Sequence, residues 1–169
     1  SYNQMNELGA KASIGSNGLV CMPFGNGAER IFQNKTLGGS FQHLDFNRHQ
    51  SADIIRAAQE GIAFSMVYGI ELLGNVGVKP NKLKAGLANM YLSDLFTQAI
   101  VNASGASVEL LETDGAFGAA LGAGAGVGYY ANEDEAVSNI KVLKTIQPES
   151  SLLNSYADAY GAWKMNLPS

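Results

Sequence analysis

An α/β fold, rich in helix and short of strand, is what this sequence predicts, on three observations. From residue 82 onward strand-like and helix-like segments alternate, the pattern of a parallel sheet with crossover helices. Long stretches at 51–73, 92–103 and 152–163 carry apolar residues at helical spacing. Strand-like segments are few, at 19–24, 83–85 and 107–112 with a short one at 41–44, so the sheet is small and incomplete for the helices around it.

Asn3 to Ala12 has the character of the last turns of a helix that stops near Gly15-Ser16-Asn17-Gly18. Leu19 to Phe24 is continuously apolar, as a buried strand is. Gly25 to Arg30 forms a loop. Ser51 is placed to cap a long helix with Asp53 in its first turn. Its apolar side is expected to be Ile54, Ile55, Ala58, Ile62, Met66 and Leu73, and Gly74-Asn75-Val76-Gly77 ends it.

Leu83 to Ala85 is a strand, Gly86 to Ala88 a tight turn, and Asn89 to Ser104 a helix that packs Leu92, Leu95, Phe96, Ala99, Ile100 and Ala103 on a sheet. Gly105 terminates that helix, and Ser107 to Glu112 is the next strand. A helix of small residues then starts at Thr113-Asp114-Gly115. Gly118, Gly122 and Gly126 share one of its faces, which is expected to lie close against a neighbour. Asn132 and Glu135 have the spacing of a capping box and open a helix through Lys144. After Pro148 a final helix carries Leu152, Leu153, Tyr156, Tyr160 and Trp163 inward.

Composition excludes several function classes. With a net charge of -4 and Lys and Arg scattered, the chain has no nucleic-acid footprint. A single cysteine, Cys21, rules out an internal disulfide and suits a reducing compartment. It lies in an apolar run with no base beside it, so it is expected to act as a small buried hydrophobe. His43 and His49 have no cysteine or paired carboxylate at zinc spacing. The N-terminus is polar and carries no signal-peptide pattern. Gly115 to Gly128 is shorter than the ~20 residues a membrane span needs. A soluble, cytoplasmic protein of one domain is the expectation.

A strand that ends in a glycine turn and feeds a helix start is a device for holding phosphate. The first N–H groups of the helix point outward, and its dipole favours negative charge there. Ala85, Gly86, Leu87, Ala88 and Asn89 form such a unit, with small residues that permit close approach. An ordinary strand-to-helix turn, with Asn89 as the helix cap, has the same appearance.

Pro23-Phe24-Gly25-Asn26-Gly27-Ala28-Glu29-Arg30 resembles the Leu-Pro-Tyr-x-x-Gly-Glu-Arg loop of the FGGY carbohydrate kinases. Ala52 to Phe64 resembles their signature helix, usually Leu-Glu-Gly-Val-Ala-Phe at its centre and here Gln59-Glu60-Gly61-Ile62-Ala63-Phe64. Ala85-Gly86-Leu87-Ala88-Asn89 stands where that family has a Gly-Gly-Gly adenosine turn, and Glu112 to Ala123 matches the small-residue helix that follows. The order and spacing agree over roughly Gly18 to Trp163, and the xylulokinases are the nearest branch.

The resemblance implies the C-terminal part of a ribonuclease-H-like domain of the actin-like ATPase superfamily. Residues 1–169 would be the nucleotide-side segment, with the sugar-binding domain and the catalytic base upstream. ATP and Mg2+ would be the cofactors, with Ala85, Gly86, Leu87, Ala88 and Asn89 on the adenosine side and the metal held mainly by phosphates and water. Partners would be the sugar and the N-terminal part of the same protein, and apolar area left open would also allow a homodimer. Glu29 and Arg30 are expected to pair and order their loop. The sequence departs from the family where Gly-Glu-Arg gains a residue, where His43-Leu44 replaces Gly-Leu, and where only Gly86 survives of the triple glycine. Leu87 puts a side chain where backbone approaches the nucleotide, which leaves open a non-catalytic nucleotide-binding module. A sister kinase for another polyol or ketose is open as well.

Overall fold

The computed structural model describes residues 1–25, 29–138 and 140–168. Asn26, Gly27 and Ala28 lie outside the described residues, as do the Glu29 and Arg30 side chains to which the loop-ordering pair was assigned. In chain order the helices are α1 (Tyr2–Gly9), α2 (Ser51–Gly74), α3 (Asp94–Ser104), α4 (Gly115–Gly126), α5 (Glu133–Val137) and α6 (Leu153–Lys164). The strands are β1 (Val20–Met22), β2 (Ser40–Gln42), β3 (Lys82–Gly86), β4 (Ser107–Leu111) and β5 (Val142–Ile146).

The small-sheet expectation holds, with a different topology. β3 and β4 run parallel with Gly86 opposite Leu111, and β5 joins antiparallel on the far side of β4. β1 and β2 form a separate antiparallel pair. β5 begins in residues expected to be helical, Val142 to Lys144. The Asn132 cap is real, since its Oδ1 accepts from Glu135 N at 2.9 Å, but the helix it opens stops at Val137. β-branched Val142, Thr145 and Ile146 favour the extended ladder with β4 over a longer helix.

One core joins these elements. Val20, Met22 and Phe24, Ala63, Phe64 and Val67 of α2, Phe96, Ala99 and Ile100 of α3, Val108 and Leu110 of β4, and Tyr156, Tyr160 and Trp163 of α6 are buried together. Trp163 packs against Phe24 and Phe64 and donates its indole N–H to the Cys21 carbonyl at 2.9 Å. Cys21 itself is half-buried, and that burial pushes its thiol up to about 11, so it stays protonated and inert.

α2 corrects two expectations. Its cap is Gln50, whose N–H is taken by Asp53 Oδ2 at 2.8 Å, and Ser51 is the first helical residue. Its buried face is Asp53, Arg56, Ala57, Glu60, Gly61, Phe64 and Val67, whereas Ile54, Met66 and Leu73 of the expected apolar side are exposed. Polar residues can occupy the inner face because each finds a partner. Arg56 binds Glu60 Oε1 (2.7 Å), the Ala12 carbonyl (2.9 Å) and the Tyr156 hydroxyl (3.0 Å). Glu60 Oε2 accepts from Gly15 N (3.1 Å) and Ser16 Oγ (3.3 Å), and Asp53 Oδ1 from Asn17 Nδ2 (2.8 Å). Small residues bring the helix down onto β1: a Cβ on Gly61 would stand 2.4 Å from the Cys21 carbonyl oxygen.

α4 is the opposite case. Asp114 caps it, with Oδ1 accepting from Phe117 N at 2.9 Å. Leu121 is its buried residue, and a Cβ on Gly118, Gly122 or Gly126 meets nothing among the described residues. The expected close packing of that glycine face is therefore not made among the described residues.

Candidate functional site

The segment from Lys82 to Asp94 differs from the expected strand, turn and helix in two respects. β3 runs through Gly86, and Leu87 N extends its ladder by donating to the Leu111 carbonyl at 3.0 Å. Asn89 does not begin α3. It opens a short 3-10 turn, Asn89–Leu92, with a left-handed φ of 52°, which asparagine tolerates better than most residues. The cap of α3 is Ser93, whose Oγ accepts from Phe96 N at 3.4 Å. The cap role open to Asn89 thus falls to Ser93, four residues later.

A cavity of about 300 Å³ opens beside this turn. It lies at the carboxyl ends of the parallel strands β3 and β4, the end at which open α/β sheets bind ligands. Gly86, Ala88 and Asn89 line it below, and Met90, Tyr91 and Phe96 form one wall. Ile62 and Met66 of α2 form the other, and Asp114 and Gly115 border it at the start of α4. Tyr91 and Phe96 meet edge to face at 5.3 Å, which fixes both rings. Burial raises the Tyr91 phenol, keeping it a neutral donor.

Of the residues nominated from the sequence, Gly86, Ala88 and Asn89 border the cavity. Ala85 packs against the core, and Leu87 is 36% exposed and outside the cavity lining. The reason for glycine at 86 is internal. A Cβ there would stand 2.4 Å from the Thr113 carbonyl oxygen, so the end of β3 and the loop after β4 can approach only without a side chain. The helix cap at the cavity is Asp114 of α4, while α3 contributes Phe96 of its first turn. Sequence reasoning missed Met66, Met90, Tyr91 and Asp114 as lining residues, and the apolar stripe assigned to the α2 core was the available signal for Ile62 and Met66.

Chemically the cavity offers aliphatic, thioether and aromatic walls with backbone polar groups at its base, suited to a flat, weakly polar ring. Asp114 is its carboxylate, and among the described residues no group of three or more His, Cys, Asp or Glu could hold a metal ion. His49 is buried and committed elsewhere, with Nδ1 accepting from Asp45 N at 3.0 Å. Among the described residues that line it, no nucleophile and base stand together.

A xylulose kinase of Haemophilus influenzae is 27% identical over 97% of this chain, which spans 34% of that relative's length. An L-xylulose/3-keto-L-gulonate kinase of Escherichia coli is 26% identical over 95% of the chain and 32% of its own length. A ligand-bound xylulose kinase structure from Lactobacillus acidophilus superposes on 98% of the chain with a TM-score of 0.78, at 19% identity and 34% of its length. The chain is a homologue of the FGGY-type sugar kinases and matches their C-terminal part. No family model matches it. The chain shares the actin-like ATPase fold of its structural neighbours. It spans about a third of the length of the curated relatives it matches. No helix among the described residues is long and apolar enough to cross a membrane.

Proposed function

We propose that this chain is the nucleotide-side segment of an ATP-dependent carbohydrate kinase that phosphorylates a ketopentose such as xylulose. The cavity at the carboxyl ends of β3 and β4 carries this reading. Adenosine would rest between Ile62 and Met66 on one side and Met90, Tyr91 and Phe96 on the other, over Gly86, Ala88 and Asn89. Bound ATP and Mg2+ supply the phosphoryl group and its charge neutralisation, and the metal is held mostly by phosphates and water, as its preference for oxygen ligands favours. The chain's own residues bind and orient. The sugar-binding domain and the base that takes the proton from the sugar hydroxyl would belong to the remainder of the longer protein, which is also the partner we assign to this segment. A homodimer is not needed for this reading. The cytoplasm, where ATP and sugar are at hand, is the proposed location.

Ala88→Tyr tests the reading, because its side chain would fill the cavity floor. In the longer protein the KM for ATP should rise at least tenfold with the sugar KM unchanged. An unaltered ATP KM would remove the nucleotide from this cavity.

The non-catalytic alternative drew on the altered glycine turn, and Leu87 lying outside the cavity lining supports the kinase reading over it. A second reading, a sister kinase, is favoured by the likeness to the L-xylulose/3-keto-L-gulonate kinase. Turnover with a panel of ketoses, polyols and sugar acids decides between the two, and the better kcat/KM names the substrate class.

A further inference from the structure

Gln59 is buried in α2 and binds on two sides. Its Oε1 accepts from Ser93 Oγ at 2.6 Å, and its Nε2 donates to Asn6 Oδ1 of α1 at 2.9 Å. The second bond fixes the orientation of the amide, so that its oxygen faces Ser93. Ser93 is the hinge of the cavity wall: its N–H donates to the Met90 carbonyl at 2.9 Å, and its Oγ accepts from Phe96 N. Met90, Tyr91 and Phe96 therefore take their places from Ser93. Ile62 and Met66 lie three and seven residues beyond Gln59, on the same side of α2. Beside the packing of α2 on α3, the Ser93–Gln59 hydrogen bond thus links the two walls at their foot.

We propose that Gln59 is a positioning residue for the nucleotide, acting through Ser93 to hold the Met90, Tyr91 and Phe96 wall at its spacing from α2. The inference rests on the reading that ATP occupies this cavity. The motif Leu-Glu-Gly-Val-Ala-Phe has leucine at this position, so the clamp is a feature of this sequence, and Gln59→Leu is a variant the fold can accept.

The test uses the longer protein, with ATP KM, the Kd of a fluorescent ATP analogue, sugar KM and melting temperature as readouts. Gln59→Leu should raise ATP KM and the analogue Kd about fivefold to tenfold, the scale expected for a buried hydroxyl losing its partner, and leave sugar KM within twofold. Gln59→Glu should restore ATP KM to within twofold, since a carboxylate still accepts from Ser93 and the Asn6 amide can turn over to donate to it. On a Ser93→Ala background, Gln59→Leu should add nothing, which a general loss of stability would not reproduce. The inference is overturned if Gln59→Leu leaves ATP KM unchanged, moves both KM values equally, or adds fully to Ser93→Ala. Ala88→Tyr separates the two failures. If it raises ATP KM and Gln59→Leu does not, positioning fails and the site stands. If neither does, the cavity is not the nucleotide site and both readings fall.

Discussion

α2 and α4 are both punctuated by glycine and alanine, and the two helices use those small residues in opposite ways. In α2 the small side presses on another backbone, with Gly61 against the Cys21 carbonyl, while the polar side chains beside it are buried and paired. In α4 Gly118, Gly122 and Gly126 face open space among the described residues, Gly124 lies against the Tyr130 ring, and Leu121 is the buried residue. Small residues at helical spacing thus specify a close approach only where a second element exists to approach. The contrast also orders the molecule mechanically. α2 ties α1, β1, α3 and α6 into one body, whereas α4 borders the cavity only with Asp114 and Gly115 and packs chiefly against the short helix α5. Variants along the two helices should separate accordingly.

The largest effect is expected from Arg56→Met. It strands the Glu60 carboxylate among Gly15, Ser16 and Tyr156, and removing one partner of a buried pair costs about 3–5 kcal/mol. Burial already raises the Glu60 carboxyl, against the opposing pull of Arg56 and of the Gly15 and Ser16 donors. Without Arg56 it moves further up. A carboxyl raised in the folded state contributes stability below its unfolded value that is lost as pH climbs through the folded value. The cost of Arg56→Met should therefore be smallest near pH 4.5, the unperturbed value, and grow toward neutrality. Urea melts at mildly acidic and neutral pH read this directly, and a penalty that shrinks as pH rises would contradict the pairing.

Gly61→Ala follows. Its Cβ meets a backbone oxygen rather than a movable side chain, so α2 must lift from β1, an overpacking cost of about 3 kcal/mol. A thermal melt matching the parent would mean that the helix is not seated as described.

These two positions also mark what the sequence could and could not reveal. Gly61 and Phe64 were legible through their motif, and Phe96, Ile100, Tyr156 and Trp163 through their spacing. The inner face of α2 was not. Asp53, Arg56, Gln59 and Glu60 recur at the intervals of a solvated face, and besides the local Arg56–Glu60 pair it takes partners far along the chain, Asn17, Tyr156, Ser93 and Ser16, to make their burial tolerable. Hydropathy alone therefore turned the helix over, sending Met66 to the core and away from the cavity it lines. β5 was missed for a related reason. The Asn132 cap signal was genuine, but a cap fixes where a helix starts and not where it stops. The turn at Gly86 was recognised, while the reason for its glycine, the Thr113 carbonyl, became visible only once β3 and β4 stood side by side.

A smaller effect is expected at the cap of α4. Asp114→Ala removes the acceptor of the Phe117 N–H, worth about 1 kcal/mol of helix stability. Because α4 makes few buried contacts, the loss should appear as faster amide exchange over residues 115–126 while the global melt barely moves. A drop in the global melting temperature comparable to that of Arg56→Met would place α4 inside the cooperative core and dissolve the contrast between the helices.

The smallest effect has the opposite sign. Gly122→Ala adds a methyl group into open space and removes the flexibility of a mid-helix glycine, so α4 should gain about 0.5–1 kcal/mol. Slower exchange of the α4 amides at an unchanged global melt is the expected reading. The same substitution at Gly61 is ruinous, although both glycines lie inside helices, which isolates the neighbour rather than the helix as the cause. Should Gly122→Ala instead destabilise the chain, some surface must already lie against that face. The glycine spacing of α4 would then have the packing meaning it has in α2.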